Sequence, residues 1–317
     1  MHHSAPGNTV IVIGESLMDI VTSPEGTHEH PGGSPMNVAV GLSRLGIPVE
    51  LITRIGDDAR GTLIANVLAA DRVALFPGSI TMQRTSTSTA ILDSTGSARY
   101  EFDIAWAIDS VKSLPPAGII HTGSIAAFLE PGASRLAGLL SAVGPSTVIT
   151  FDPNIRPSII GDRNAALLVV EAIAAMSTIV KMSDEDMTWL YGAVTPDEGV
   201  DRLLAVGATL AIVTLGASGA ILATATQRVT VPGVIVNVVD TIGAGDSFMS
   251  GLISRIAALL ADTVDSESII DGSAFTTDEL ERIGGFAVAC AGITVSRTGS
   301  NPPALTDLGG ARRSVVL

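Results

Sequence analysis

Short runs of consecutive apolar residues, each followed by a stretch with helical periodicity, recur along this chain and limit it to few architectures. Thr9-Val10-Ile11-Val12-Ile13 reads as a buried strand stopped by Gly14. A run that is apolar at every position, not at alternate ones, suits a sheet covered on both faces. Further candidate strands, mostly apolar, return at 49–53, 118–121, 147–151, 178–180 and 210–214. Helical patterns lie between them: 35–45, opened by Pro35 and ended by Gly46, then 61–70, 133–143, 163–176 and 197–206. This alternation predicts an α/β fold, a three-layer α/β/α sandwich around a mostly parallel sheet.

Two stretches depart from the rhythm. Residues 86–92 and 98–102, joined through Asp93-Ser94-Thr95-Gly96, predict a β-hairpin, which together with 17–21 forms a small separate sheet. The segment from Val21 to Gly33 reads as turn-rich. Later, 220–223, 228–231 and 234–238 read as strands ahead of a helix running to about Leu260, and 262–277 reads as a polar, acidic surface loop. Neither a repeat nor a linker divides the 317 residues, so a single domain over 1–317 is expected.

Composition removes several functions. A formal net charge of −14 argues against a nucleic-acid partner, because phosphate backbones are bound by basic surfaces. No stretch approaches the ~18 uninterrupted apolar residues of a membrane helix. The opening Met1-His2-His3-Ser4-Ala5-Pro6-Gly7 lacks a signal-peptide pattern, which predicts a cytoplasmic protein without membrane attachment. Cys290 is the single cysteine, leaving no internal disulfide and no thiolate cluster. The chain has two lysines, Lys112 and Lys181, and neither belongs to a GxxxxGK[ST] loop. Nucleotide chemistry here would rely on backbone N–H groups, arginine and a metal ion.

The strongest candidate site is Asp240-Thr241-Ile242-Gly243-Ala244-Gly245-Asp246-Ser247-Phe248, read as following a strand and opening a helix. Small residues let the backbone approach a ligand, and a helix start offers unpaired N–H groups to an anion such as a phosphoryl group. A carboxylate at the mouth of that site has one compatible task, taking a proton from an attacking hydroxyl. Gly–Asp at a helix start is also an ordinary N-cap. A dinucleotide fingerprint needs a third glycine where Phe248 stands. A serine triad lacks a histidine near Ser247, since His121 is the only one beyond the first 30 residues. Phosphoryl transfer leaves every residue of the motif with a use.

With Gly32-Gly33-Ser34-Pro35-Met36-Asn37-Val38-Ala39 upstream, the pair of motifs resembles the two signatures of the ribokinase-like (PfkB) carbohydrate kinases, whose second signature is DTxGAGD. The resemblance covers essentially the whole chain, including Gly14-Glu15-Ser16-Leu17-Met18-Asp19, Arg54-Ile55-Gly56-Asp57-Asp58, Asp152-Pro153-Asn154-Ile155-Arg156-Pro157 and Thr214-Leu215-Gly216. In detail GGSPMNVAVGLSRLG most resembles bacterial fructokinases. The resemblance implies a ribokinase-like sandwich with a small β lid, within about 14–31 and 84–106, that covers the sugar and often forms a homodimer interface. It implies ATP-dependent phosphorylation of a sugar primary hydroxyl, with fructose leading, and with ribose, 2-keto-3-deoxygluconate or a nucleoside as alternatives.

By the same resemblance Asp246 is the base, and Gly243, Ala244 and Gly245 hold the transferring group. Asp19, Gly32, Gly33 and Asn37 meet the sugar. Arg156 follows a strand, and its fork suits a phosphate or lid contact, with a surface salt bridge as the alternative. Lys181, Thr214, Gly216 and Gly219 lie toward the nucleotide, and helix residues 287–294 border the adenine. Family members often carry Asn-x-x-Glu to organise Mg2+; this chain has Ser183 and Asp186 there, either able to hold metal-bound water. Asp240 and the 296–300 loop are implied in a K+ site. Tyr100, Phe102 and Trp106 either cover the sugar or belong to a core or interface. A catalytically silent sugar-binding relative is the rival from another class, and retention of Asp246 with its glycines argues against it.

Overall fold

In the computed structural model, which describes residues 9–23, 26–81, 83–92, 98–262 and 264–309, the chain opens with β1 (Val10–Ile13). It continues through β2 (Leu17–Ser23), β3 (Gly26–Gly32), α1 (Ser34–Arg44), β4 (Val49–Ile52), β5 (Ile55–Gly56) and α2 (Ala59–Ala70). Short strands β6 (Ala74–Leu75) and β7 (Ile80–Thr81) precede β8 (Thr87–Leu92) and β9 (Ala98–Asp103). Then come β10 (Ile119–Gly123), α3 (Gly132–Ser141), β11 (Val148–Asp152), the single turn α4 (Pro157–Ile160), α5 (Arg163–Ala174) and β12 (Ile179–Ser183). The remainder is α6 (Asp184–Tyr191), α7 (Pro196–Val206), β13 (Leu210–Thr214), β14 (Gly219–Ala223), β15 (Arg228–Pro232), α8 (Ala244–Asp262), α9 (Ser266–Ile270) and α10 (Thr277–Val295).

Nine strands form one sheet in the order β15-β14-β13-β12-β11-β10-β1-β4-β6, parallel from β13 to β6 and antiparallel beyond β13. The chain first builds outward from β1 to β4 and β6, then returns to β1's other side with β10. That reversal opens a crevice at the carboxyl ends of β1 and β10, where open α/β sheets bind ligands.

Apolar runs are consumed two ways at once. Val10 and Val12 face a core shared with α1, α2, α8 and α10, while Ile11 and Ile13 face one shared with α3, α5 and α7. β13 divides alike, Leu210 and Ile212 to the first core and Ala211 and Val213 to the second. Continuous apolar strands thus produce the predicted sandwich. Local signals set the helix starts: Asp58 accepts from the Gly61 amide ahead of α2, and Thr195 with Glu198 forms a capping box on α7.

A four-stranded sheet, β3-β2-β8-β9, stands apart. Its β8–β9 hairpin and its β2 strand match the expected separate sheet; the connection Asp93–Gly96 lies outside the described residues. Among the described residues no helix is long and apolar enough to cross a membrane.

Four local expectations are corrected. The segment read as turn-rich contains β3, which pairs with β2 from Gly32 back to Gly26, so tertiary pairing overrides weak strand propensity. Residues 234–238 form no strand: β15 ends at Pro232, and the chain leaves the sheet edge to cross α10, with Val234 packed over Gly292. Consequently the 240–248 motif follows an irregular segment and not a strand. Residues 262–277 are more than a surface loop. Asp265 caps α9 through the Ser268 amide, and Ile269 and Phe275 are buried in the core.

Candidate active site

Asp246 lies in the first turn of α8 and is buried. The Ser34 hydroxyl donates to its Oδ1 at 2.6 Å, and the Asn37 amide donates to its Oδ2 at 2.8 Å. Ser34 and Asn37 both belong to the first turn of α1, which Pro35 opens, so two helix starts converge on one carboxylate. Burial raises the Asp246 pKa, Ser34 and Asn37 oppose that rise, and Asp152 and Arg156 act on it from further away.

The preceding turn admits little but glycine. Gly243 has φ +76, and a Cβ there would run into the Ser300 side chain. The amides of Gly245 and Asp246 fall in the first helical turn, where the helix itself supplies no acceptor. The Ala244 amide differs, because it donates to the Thr241 carbonyl at 3.3 Å. Asp240 pins the turn from behind: its carboxylate accepts from the Ile242 amide at 3.0 Å and the Gly299 amide at 2.9 Å. These amides hold its pKa below the usual range.

On the opposite wall Asp19 projects from β2 over Gly32, which has no room for a Cβ beside the Asp19 carboxylate. Asp19 is open to solvent, yet surrounding protein desolvates it and raises its pKa, against Ser88, Arg156 and His30. Gly33 has φ +112, and a Cβ there would come within 2.6 Å of the Glu15 carbonyl oxygen. Gly32 touches Asp19 and Ser34 touches Asp246, so the segment 32–34 brings the two carboxylates to one crevice. Arg156 is held by the Asn154 side chain at 2.8 Å, and its charge acts on Glu15, Asp19, Asp186 and Asp246. Asn154 itself has φ +39, a left-handed conformation that turns this loop toward the crevice.

The nucleotide-side candidates cluster at the ends of β12 and β13, where Ser183 and Thr214 are ladder neighbours. Gly216 and Gly219 follow with φ +53 and φ +102. Ser183 caps α6 by accepting from the Asp186 amide at 3.0 Å, and Asp186 Oδ1 accepts from the Ile155 amide at 3.1 Å. Burial, assisted by Asp152, pushes the Asp186 pKa up to about 6. Lys181 lies inside β12, its Nζ 2.9 Å from Asp152 Oδ2, and a Cβ on Gly245 would sit 3.1 Å from that nitrogen. Burial would depress the Lys181 pKa, but Asp152 holds it above the ordinary value. Beside this region Val234, Ile235, Val238, Val239 and Ile242 expose apolar surface along the 234–242 segment.

The donor set at the start of α6 fits the divalent ion that the sequence suggested. Ser183 and Asp186 offer only oxygen, the ligand type Mg2+ takes, usually with several waters retained. Among the described residues no three His, Cys, Asp or Glu side chains form a metal cage.

Ser34, Asp152 and Glu15 received no role in the sequence reading, although all three stand inside quoted motifs. Burial pushes the Glu15 carboxyl up to about 7, while Ser124 and the Ala126 amide, 3.1 Å from Oε2, oppose the rise. Their signal was position: each follows or ends a strand that terminates at the crevice.

Known proteins share both fold and sequence with this chain. The model of the pfkB family carbohydrate kinases matches residues 8–307. A fructokinase of Rhizobium leguminosarum bv. trifolii is 35% identical over 259 residues, covering 78% of this chain and 79% of that protein. The crystal structure of a fructokinase from Xylella fastidiosa with bound ATP superposes with a TM-score of 0.83 at 23% identity, covering 97% of this chain and 98% of that one. A fructokinase double mutant from Vibrio cholerae O395, in its fructose-, ADP- and potassium-bound form, gives a TM-score of 0.80 at 24% identity, over 97% and 99% of the two chains. With the family model spanning nearly every described residue and both signatures meeting at one crevice, the chain belongs to the pfkB family of carbohydrate kinases.

Proposed function

We propose that this kinase transfers the γ-phosphoryl group of ATP to a primary hydroxyl of fructose, with Asp246 as the general base. One observation carries the reading: a buried carboxylate, oriented by Ser34 and Asn37, stands at a helix start beside a glycine turn. The fructokinase relatives support fructose as the acceptor.

In this reading Asp19 and the Asn37 amide bind sugar hydroxyls, with Gly32 and Gly33 allowing the backbone close to the ring. The acceptor hydroxyl gives its proton to Asp246 as its oxygen bonds to the γ-phosphorus. The bond from that phosphorus to the β,γ-bridging oxygen breaks, and ADP leaves. The amides of Gly243, Gly245 and Asp246, with the α8 dipole, face the three equatorial oxygens. Because Ala244 already donates within the turn, its contribution is the smallest. Arg156 offers a forked cation at the same crevice. Thr214, Gly216 and Gly219 approach the remaining phosphates, and the apolar 234–242 segment with the α10 residues 287–294 flanks the adenine. Ser183 and Asp186 would hold Mg2+ through water, and the ion would supply charge neutralisation for the phosphates. Asp240 and the 296–300 loop border a K+ site that steadies the turn.

The small sheet acts as the lid over the sugar. Tyr100 and Phe102 on β9 stack with centroids 6.2 Å apart and stay exposed, which supports a homodimer through the lid. Consumption of cytoplasmic ATP is expected. ATP turnover screened over fructose, ribose, 2-keto-3-deoxygluconate and nucleosides tests the proposal. Fructose should give the highest kcat/KM, and no turnover with any acceptor would favour a silent sugar-binding protein.

A further inference from the structure

Lys181 and Asp152 form the most deeply buried ion pair among the described residues, with side chains 4% and 2% exposed. The next, Arg255–Glu279, is 11% exposed on both sides. Burying two charges is costly, and replacing such a pair by apolar residues often leaves a protein equally or more stable. Fold stability alone therefore gives little reason for this pair. The chain has two lysines among 32 acidic residues, and it puts one of them here.

Its location supplies the reason. Nζ lies beside Gly245, so close that a Cβ on that residue would stand 3.1 Å from it. Asp152 fixes the ammonium through Oδ2 alone, and the buried Asp152 Oδ1 has no hydrogen-bond partner. An ammonium carries three donors, and its charge acts strongly across a region from which water is excluded. The glycine turn thus has a buried ammonium beside Gly245, with Asp152, Asp186 and Asp246 as its charged neighbours.

We infer that Lys181, tethered by Asp152, is a positioning residue for phosphoryl transfer: its charge beside Gly245 draws the migrating group onto the turn. The inference rests on the assignment of the 243–246 turn as the phosphoryl site. It supplies from the sheet the local cation that P-loop enzymes place on their phosphate loop, and it gives position 245 a reason for glycine beyond backbone freedom.

The test separates this role from mere structural pairing. Lys181→Met and Asp152→Asn each leave one buried charge alone and lower Tm; the double variant leaves none and recovers most of that loss. If the pair only holds the fold, kcat recovers with Tm. The inference predicts otherwise: Lys181→Met and the double variant both keep kcat about 10²-fold below wild type, with sugar KM within about threefold. Wild-type kcat in the double variant would overturn it. A second readout needs no turnover. With Mg2+, ADP plus aluminium fluoride, a mimic of the migrating group, should bind the double variant at least about tenfold more weakly than wild type in calorimetry, ADP alone equally. Equal mimic affinity would also overturn it, whereas a wild type that phosphorylates no sugar would sink the base assignment and leave the mimic comparison intact. Should the double variant not fold, Lys181→Gln keeps a donor without the charge and is expected to show both losses; wild-type values there count against the inference.

Discussion

The two sheets hold opposite kinds of residues. In the nine-stranded sheet, Lys181, His121 and Thr150 sit within strands covered on both faces, and Asp152 ends its strand fully buried. In the four-stranded sheet, β3 presents Thr27, His28, Glu29 and His30 to solvent, and β9 presents Arg99, Tyr100, Glu101 and Phe102. Charges in the first are immobilised by neighbouring strands and desolvated. Those in the second form exposed ion pairs, Arg99–Glu101 within β9 and Asp103 with Arg84 just ahead of β8, which contribute little to stability. The difference teaches how burial is divided: the large sheet immobilises and desolvates its few charges, and the small one leaves most of its charges in water. In the proposed function the first would fix the phosphoryl side and the second wall in the acceptor.

Substitutions on the large-sheet side should act on kcat and those on the small-sheet side on KM. The largest effect is expected from Asp246→Asn, which should lower kcat by about 10²–10⁴-fold while leaving sugar KM nearly unchanged in steady-state assays. Gly243→Ala comes next, since it forces a side chain to φ +76 and into Ser300. Loss of the anion site should cost about 10²-fold in kcat. Asp19→Ala should instead raise the fructose KM by about tenfold, with kcat falling by less. A larger effect on kcat than from Gly243→Ala would erase the distinction between the sheets.

The smallest effect concerns stability. Glu15 has its pKa raised from 4.5 to about 7 in the folded state, so the folded chain binds more protons than the unfolded one across that interval. Stability contributed by this group is therefore present below pH 4.5 and lost as pH rises toward 7. Glu15→Gln removes that loss. Its unfolding free energy relative to wild type should increase between pH 5 and 7, by up to about 1.4 kcal/mol for each unit of pKa rise, read from denaturant titrations at each pH. A flat difference would show that Glu15 stays ionised in the folded chain, its hydrogen bonds offsetting burial.

The parallel core was legible in the sequence because most positions of its strands are apolar on both faces, Glu50, His121, Thr150 and Lys181 being among the exceptions, a pattern that a two-face core favours. The turn at 243–246 was legible because its glycines and aspartate are adjacent in sequence. What escaped depends on pairing between distant segments. Nothing in Gly26–Gly32 signals a strand until β2 lies beside it. The β-branched residues at 234–238 look like a strand but have no ladder partner past Pro232. The Lys181–Asp152 contact joins neighbouring strands 29 residues apart, and only the sheet order reveals it. Ser34 escaped because a hydroxyl beside Pro35 reads as a helix opening before it reads as a donor to Asp246.

A crystal structure with fructose and a non-hydrolysable ATP analogue addresses the central claim most directly. The account predicts a primary hydroxyl of the sugar within about 2.6–3.2 Å of the Asp246 carboxylate, and the terminal phosphoryl group on the amides of the 243–246 turn. A sugar bound with every hydroxyl out of reach of Asp246, or a phosphate chain that bypasses the turn, would contradict it.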